Sequence, residues 1–337
     1  PLVRTGRKVA VIGSGPAGMA AADLLNKSGH YVTLFEKDAR AGGLLRYGIP
    51  DFKLSKAVID RRLNLMIKEG VTVKTGIEIG KDISGKEITN AFDAVCITIG
   101  AGHPRDLQVE GRDLDGVCFA LDFLTAQNRI NESGYPEAIS PHSARGKKVL
   151  VIGGGDTGSD CVGTSLRQKA ECVTQIEIMP EPPSERAASN PWPYYAKILK
   201  TSTSHEEGCE RFWSLSTVRF TGAEGKVTGV EVEEVEWTGL NGKSMMTAVP
   251  GTRRIIDADL VLLALGFDHP VTDGLLTELG VALDARNNVS TGKDHSTSLP
   301  GVFAAGDTVN GASLVVRAIA SGRSAAKAIN GFLNKGC

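Results

Sequence analysis

A short apolar run that breaks into a glycine turn occurs twice in this chain, and the repeat sharply limits what the chain can fold into. Val9-Ala10-Val11-Ile12 leads into Gly13-Ser14-Gly15-Pro16-Ala17-Gly18, and Val149-Leu150-Val151-Ile152 leads into Gly153-Gly154-Gly155-Asp156-Thr157-Gly158, an offset of 140 residues from Gly13 to Gly153. Four consecutive apolar residues suit a strand buried on both faces, as in a parallel sheet. The glycine spacing is that of the strand-to-helix turn in a dinucleotide-binding βαβ unit. Its first glycine permits the tight turn, the second lets main chain approach a pyrophosphate, and the third lets helix and strand pack closely. The helix that follows offers unpaired N–H groups and a partial positive charge, worth about 0.3–2 kcal/mol per neighbouring anion. Two such units in one chain imply two bound dinucleotides and electron transfer between them.

In the first unit, a second strand-like run, Tyr31 to Phe35, ends at Glu36, 18 positions beyond Gly18. A carboxylate there accepts hydrogen bonds from ribose hydroxyls. The pattern predicts a helix over Ala17 to Asn26 stopped by Ser28-Gly29, a helix over Ser55 to Glu69, and strands at Val71 to Lys74 and Ala94 to Ile99. Gly42 to Pro50 holds too much glycine for a regular element and reads as a loop over which main chain passes close to a flat ring. Ala101 to Arg145 reads as a linker with one helix around Phe119 to Asn128.

The second unit starts at Lys148, and its second strand, Val173 to Met179, runs into Pro180-Glu181-Pro182-Pro183, which cannot continue regular structure. Residues 214 to 264 alternate apolar and polar, with turn signals at Gly225, Asn241-Gly242 and Pro250-Gly251, and predict an antiparallel meander. Val261 to Leu265 then ends in Gly266, as Val95 to Ile99 ends in Gly100, so each half closes on an apolar strand with a terminal glycine. The tail, Gly301 to Asp307 followed by a helix over Ser313 to Leu333, lacks its own fingerprint. It is expected to return and complete the first domain. The fold class is α/β: two Rossmann-like domains, one inserted in the other, each with a parallel sheet plus an antiparallel meander.

The 337 residues suffice for about two domains. A net charge of −1 gives no general attraction to nucleic acid or anionic lipid. No apolar stretch approaches the ~20 residues of a membrane helix, and the start carries no signal-peptide core. The chain reads as cytoplasmic. The 6 cysteines, at positions 96, 118, 161, 172, 209 and 337, form no C-x-x-C pair and no spacing suited to zinc or an iron–sulfur cluster. They read as isolated thiols of a reducing compartment, and a flavin-linked dithiol is excluded. His205 beside Glu206 and Glu207 lacks the H-E-x-x-H spacing of a metal site and reads as a local turn or capping residue. The sequence begins at Pro1 with few residues before the first strand, and so reads as a piece of something longer.

The chain strongly resembles the small (beta) subunit of bacterial glutamate synthase and the matching region of the long eukaryotic enzymes. The segments carrying the resemblance include Val9 to Leu25, Gly42 to Lys53, Arg112 to Asn128, Val149 to Arg167, Glu177 to Arg186 and Val302 to Ala326. Asn190-Pro191-Trp192-Pro193 and Thr201 to Gly208 are the segments most particular to that family. The resemblance implies an FAD domain at 1–107 and 268–337 with an NAD(P)-binding domain at 108–267. It implies hydride transfer from NAD(P)H to FAD, then passage of electrons through iron–sulfur clusters to the glutamate synthase large subunit. Those clusters belong to a cysteine-rich N-terminal region that precedes the FAD domain in the family and is not part of this sequence.

Carried over position by position, Gly13, Gly15, Pro16, Ala17 and Gly18 hold the FAD pyrophosphate and Glu36 its adenosine ribose. Gly43, Leu44, Arg46 and Ile49 lie on the flavin side, and Ile79 near the adenine. Gly306 and Asp307 take the ribitol, while Ser313, Leu314 and Val315 face the pyrimidine end of the flavin. Gly153, Gly154, Gly155, Asp156 and Thr157 hold the nicotinamide dinucleotide, and the strand-end glycines Gly100 and Gly266 complete the cofactor-binding set. Arg186, within reach of a 2′-phosphate, favours NADPH; Glu181 accepting a 2′-hydroxyl is the NADH alternative. Hydride moves between cofactors directly, so no side chain is named as catalytic. Two other readings share both fingerprints: a reductase subunit feeding ferredoxin or another acceptor, and a scaffold that binds dinucleotides without turnover.

Overall fold

The computed structural model describes residues 3–133, 142–194, 196–240 and 243–334. The chain divides into two units: unit 1 holds Pro1–Arg105 and Gly266–Cys337, unit 2 holds Asp106–Leu265. Unit 1 opens with β1 (Lys8–Ile12), α1 (Pro16–Lys27), β2 (Tyr31–Phe35), α2 (Leu44–Tyr47), α3 (Lys56–Lys68), β3 (Thr72–Lys74), α4 (Gly85–Ala91) and β4 (Ala94–Ile97). Unit 2 follows with β5 (Val117–Phe119), α5 (Ala120–Ser133), β6 (Lys148–Ile152), α6 (Asp156–Arg167), β7 (Cys172–Ile176), α7 (Thr203–Glu206), β8 (Glu210–Phe212), β9 (Leu215–Ala223), β10 (Lys226–Leu240), β11 (Lys243–Ala248), β12 (Arg254–Asp257) and β13 (Leu260–Leu263). The chain then returns to unit 1 through α8 (Leu275–Leu279), β14 (Val302–Ala304), α9 (Asp307–Asn310) and α10 (Val315–Asn334).

Unit 1 is built on a parallel sheet ordered β14-β4-β1-β2-β3. The alternation of side chains along β1 explains why its run is apolar throughout: Val9 and Val11 enter one core with Met19, Leu25, Leu34 and Ile329, while Ala10 and Ile12 enter a second with Phe35, Ile97 and Val302. The tail completes this sheet as expected, since β14 pairs in parallel with β4. Unit 2 repeats the plan with the order β5-β13-β6-β7-β8. Val149 and Val151 of β6 enter a core with Cys161 and Val162 of α6. Leu150 and Ile152 enter another, shared with Phe220, Val230 and Val232 of an antiparallel four-stranded sheet formed by β9, β10, β11 and β12. Among the described residues no helix is long and apolar enough to cross a membrane.

Four local expectations change. Gly42 to Pro50 contains one helical turn, α2, because Gly42 and Gly43 turn the chain at positive φ and Tyr47 N–H then reaches the Gly43 carbonyl at 3.0 Å. Within the span read as a linker, Val117 to Phe119 forms β5, held by parallel pairing to Val261 to Leu263; a three-residue edge strand leaves no period to read. β7 stops at Ile176, not Met179: Glu177 N–H makes the last ladder bond to the Phe212 carbonyl, and Met179 N–H then folds back onto the Glu177 carboxylate at 3.0 Å. The antiparallel strands expected in each half form a sheet in unit 2, whereas in unit 1 the described residues show isolated antiparallel bridges, Leu283 with Val289 and Ser296 with Phe303. The Asn241-Gly242 turn, residues 134–141 of the linker and Cys337 lie outside the described residues.

Candidate cofactor sites

In unit 1 the glycine turn is fixed from below and open above. Gly13 takes φ +97°, and a Cβ there would lie 2.4 Å from the Thr98 carbonyl oxygen. A Cβ on Gly18 would meet the Gly13 carbonyl oxygen at 1.9 Å, so helix and strand touch where the third glycine sits. The Thr98 hydroxyl donates to the Ile12 and Gly13 carbonyls, both at 2.9 Å, and holds the turn. By contrast, a Cβ on Gly15 would meet nothing within 4 Å. Gly15 is the N-cap of α1 and no side chain caps that helix, so its first N–H groups keep no side-chain acceptor. An open approach to uncapped donors is what a pyrophosphate requires.

Glu36 seals the arrangement. One carboxylate oxygen accepts from the Ser14 N–H at 3.1 Å and from the Ser14 hydroxyl; the other accepts from Asp38 N–H at 3.0 Å. The Ser14 hydroxyl also accepts from Gly42 N–H at 2.8 Å, which draws the Gly42-Gly43 turn onto the fingerprint. A Cβ on Gly43 would lie 3.0 Å from Gly15 Cα, so main chain passes main chain here at glycine-only distance.

Unit 2 reproduces this geometry. Gly153 takes φ +122° with a virtual Cβ 2.4 Å from the Ala264 carbonyl oxygen, Gly158 would meet the Gly153 carbonyl oxygen at 2.1 Å, and Gly155 opens onto space as the uncapped N-cap of α6. Asp156 and Thr157 begin that helix, with Asp156 exposed. The carboxylate of Glu177 stands where β7 ends, accepting from Gly154 N–H at 2.6 Å and from Met179 N–H at 3.0 Å. Sequence reasoning looked for this acid at Glu181 and missed Glu177. Alignment of the two units on their first glycine finds it: Glu36 lies 23 positions beyond Gly13, and Glu177 lies 24 beyond Gly153.

The second turn is braced by a relay that the sequence did not reveal. Gln175 donates from Nε2 to the Gly153 carbonyl at 2.8 Å and faces His205 Nε2 through Oε1 at 2.9 Å. His205 Nδ1 receives the Ser202 N–H at 3.2 Å, and because an N–H only donates, Nδ1 is the unprotonated nitrogen and Nε2 the donor to Gln175. His205 thus caps α7, as expected, and also reaches the fingerprint.

The remaining candidates separate. Asp307 begins α9 and accepts from the Ser313 hydroxyl at 2.6 Å; burial pushes its carboxyl above the usual range, against the pull of Ser313. Thr308 accepts from Gly100 N–H at 2.8 Å, which joins the two strand ends of unit 1. Gly306 sits against Ala17, with a virtual Cβ 2.6 Å from the Ala17 Cβ. Leu314 and Val315 are exposed apolar side chains at the start of α10, and Leu44 is likewise exposed. Gly100 and Gly266 both take positive φ with open space beside them. Ile49 is half-buried. Two expected contacts are engaged elsewhere: Ile79 is buried in the core with Phe35 and Ile97, and the Arg46 guanidinium is buried against Asp60 and the Ala41 carbonyl. Arg186 donates to the carbonyls of Asn190 at 3.0 Å and Tyr194 at 2.8 Å, within its own loop. A shallow hollow of ≈ 510 Å³ lies on the antiparallel sheet, lined by Glu233, Val249, Pro250 and Arg253, and no fingerprint residue borders it.

Residues 7–322 match the family model of the pyridine nucleotide-disulphide oxidoreductases, and the chain belongs to that family. Its fold agrees with that of FprA from Mycobacterium tuberculosis, solved in complex with NADPH, at a TM-score of 0.76 and 17% identity over 98% of this chain and 85% of that one. Within the family the chain groups with glutamate synthases. It is 49% identical over 340 residues to the glutamate synthase [NADPH] small chain of Mycobacterium tuberculosis, covering 99% of this chain and 68% of that protein. It is 44% identical over 341 residues to the glutamate synthase [NADH] of Schizosaccharomyces pombe, covering 98% of this chain and 16% of that one. The dithiol named by the wider family has no counterpart in the cysteine spacing. Burial pushes the Cys96 and Cys118 thiols up to about 12 and Cys209 to about 11, so these three stay protonated and unreactive at neutral pH.

Proposed function

We propose that unit 1 holds FAD, that unit 2 holds the nicotinamide dinucleotide, and that the chain delivers electrons from NAD(P)H toward the large subunit of glutamate synthase, directly or through an iron–sulfur segment. The chain is an NAD(P)H-dependent flavin oxidoreductase of the glutamate synthase small-chain type. One observation carries the assignment of two sites: the turn geometry occurs twice, each time with an uncapped helix start, an open glycine and a carboxylate from the next strand against the turn.

When bound, the flavin supplies a ring that accepts hydride from the nicotinamide. The protein's share is binding and electrostatics. Gly13, Gly15, Pro16, Ala17 and Gly18 offer main chain to the FAD pyrophosphate, and Glu36 accepts from its adenosine ribose. Asp307 with Gly306 receives the ribitol, and the buried setting that raises its carboxyl favours a hydroxyl partner over bulk water. Leu44 and Ile49 flank the flavin, while Ser313, Leu314 and Val315 receive its pyrimidine end. The N–H groups at the start of α10 stabilise negative charge there. In unit 2, Gly153, Gly154, Gly155, Asp156 and Thr157 seat the nicotinamide dinucleotide. The isolated cysteines suit the reducing cytoplasm.

The test is anaerobic titration of the FAD-loaded chain with NADPH and NADH in parallel. Loss of the flavin's visible absorbance on addition of either nucleotide is the expected result. Unchanged absorbance would make the chain a scaffold.

A further inference from the structure

The carbonyl of the first glycine is held in both units, but by different donors. In unit 1 the Thr98 hydroxyl, just past β4, donates to the Gly13 carbonyl at 2.9 Å. Ala264 has the matching place in unit 2: the carbonyl oxygens of Thr98 and Ala264 each lie 2.4 Å from the virtual Cβ of the first glycine. Their N–H groups each donate at 2.8 Å to the last residue of the central strand, Ile12 or Ile152. Alanine has no hydroxyl, and the donor comes instead from another strand, as Gln175 of β7. Register sets Gln175 against Val151, where unit 1 sets the apolar Leu34 against Val11. The two donors reach the same spot, since a Cβ on Gly18 would meet Thr98 Oγ1 at 2.7 Å and one on Gly158 would meet Gln175 Nε2 at 2.5 Å.

A hydroxyl swings its one hydrogen to the nearest acceptor, whereas an amide has a donor end and an acceptor end. Turned over, the Gln175 amide would set Oε1 against the Gly153 carbonyl, acceptor against acceptor. We infer that His205 prevents this and is a positioning residue for binding of the nicotinamide dinucleotide: its Nε2–H donates to Gln175 Oε1 and so holds the amide with Nε2 toward the glycine turn. The inference rests on the assignment of unit 2 to that nucleotide. The tautomer is set by Ser202, whose N–H donates to His205 Nδ1 at 3.2 Å. The Ser202 hydroxyl lies 2.6 Å from that of Ser159 on α6, so the chain of bonds closes on the helix that the turn begins. Gln175 and His205 are both buried, where an unmatched polar group is costly. The FAD turn, with its own threonine, needs no such partner.

The FAD-loaded chain is titrated calorimetrically with NADP+ and with NAD+, and FAD content is measured in each variant. His205→Ala is expected to weaken the tighter of the two nucleotides about tenfold while FAD content holds. His205→Gln keeps an N–H donor in the Nε2 place but loses the Nδ1 acceptor, and should bind within about threefold of the wild type. His205→Asn keeps an acceptor in the Nδ1 place but falls short of Gln175, and should bind as weakly as His205→Ala; it stands in where His205→Ala fails to fold. Gln175→Leu combined with Ala264→Thr rebuilds the pair found in unit 1 and should recover the affinity lost in Gln175→Leu alone. A His205 that acts only as the cap of α7 gives the reverse order, His205→Asn near the wild type and His205→Gln weak. That order overturns the inference, as does wild-type affinity in His205→Ala. The redox reading fails separately: a chain that shows the expected order but whose flavin is reduced by neither NADH nor NADPH keeps the His205 assignment and loses the function, and a wild type that binds neither nucleotide loses both.

Discussion

Two glycines of one helix should respond in opposite directions to the same substitution. Gly322 and Gly331 both lie within α10. A Cβ at Gly322 would stand 2.1 Å from the Ala17 carbonyl oxygen and 2.9 Å from its carbon, both main-chain atoms of the first turn of α1. Neither can rotate away, so α10 must retreat by roughly 1 Å, and overpacking of this kind costs about 1–3 kcal/mol. The helix propensity gained from alanine, about 0.5–1 kcal/mol, offsets part of this. Gly322→Ala should therefore destabilise unit 1 by about 1 kcal/mol net. Gly331 meets nothing within 4 Å, and Gly331→Ala should stabilise by the propensity difference alone, about 0.5–1 kcal/mol. At roughly 2–4 °C per kcal/mol for a unit of this size, the two variants should melt roughly 3–8 °C apart. Ala17 also belongs to the FAD fingerprint, so Gly322→Ala should bind FAD more weakly in a fluorescence titration, and Gly331→Ala should not. Equal melting temperatures and equal FAD affinities would refute the reasoning.

Gln175→Leu strands the Gly153 carbonyl and the His205 Nε2–H, at a cost of about 1–3 kcal/mol for each group left unsatisfied. It should raise the apparent KM for the reduced nucleotide while FAD content stays at the wild-type level; a normal KM would exclude the relay from binding. Burial pushes the Asp60 carboxyl up, but the hydrogen bond and charge of Arg46, with Arg40 behind them, outweigh that and hold it below the usual carboxylate range. Its stabilising contribution is therefore complete above the ordinary Asp value and is lost as pH falls through the lowered one. Asp60→Asn should lower the urea midpoint at neutral pH and flatten the acid limb of the stability profile; an unaltered acid limb would count against the pairing. Asp307 has the opposite sign, because its raised carboxyl costs stability as pH climbs from the ordinary to the raised value. Asp307→Asn should remove that slope in the apoprotein yet weaken FAD binding, and a variant with unchanged FAD affinity would remove Asp307 from the site.

Much of this protein is written locally. The apolar run of β1 followed by glycines at fixed spacing predicts strand, turn and helix because a buried parallel strand and a positive-φ turn are each decided within a few residues. The same holds for β2 and α3. The sequence determined two nucleotide-type turns, the α/β class and a cysteine spacing without a C-x-x-C pair. It could not show that Val117 to Phe119 forms a strand, since three residues acquire that conformation only by pairing with Val261 to Leu263. It misplaced the second acidic residue because Ile178 and Met179 extend the apolar pattern of β7 past Glu177, where Met179 N–H has already left the ladder for the Glu177 carboxylate.

Tertiary structure alone decided which carboxylate lies against which turn, which donors brace the fingerprint carbonyls, and where a glycine is required for contact instead of conformation. Gly322 is separated from Ala17 by 305 positions, and no propensity or period at either site records that their backbones meet. A turn is set by the torsions of its own residues, whereas a contact is set by every element that brings two distant segments together.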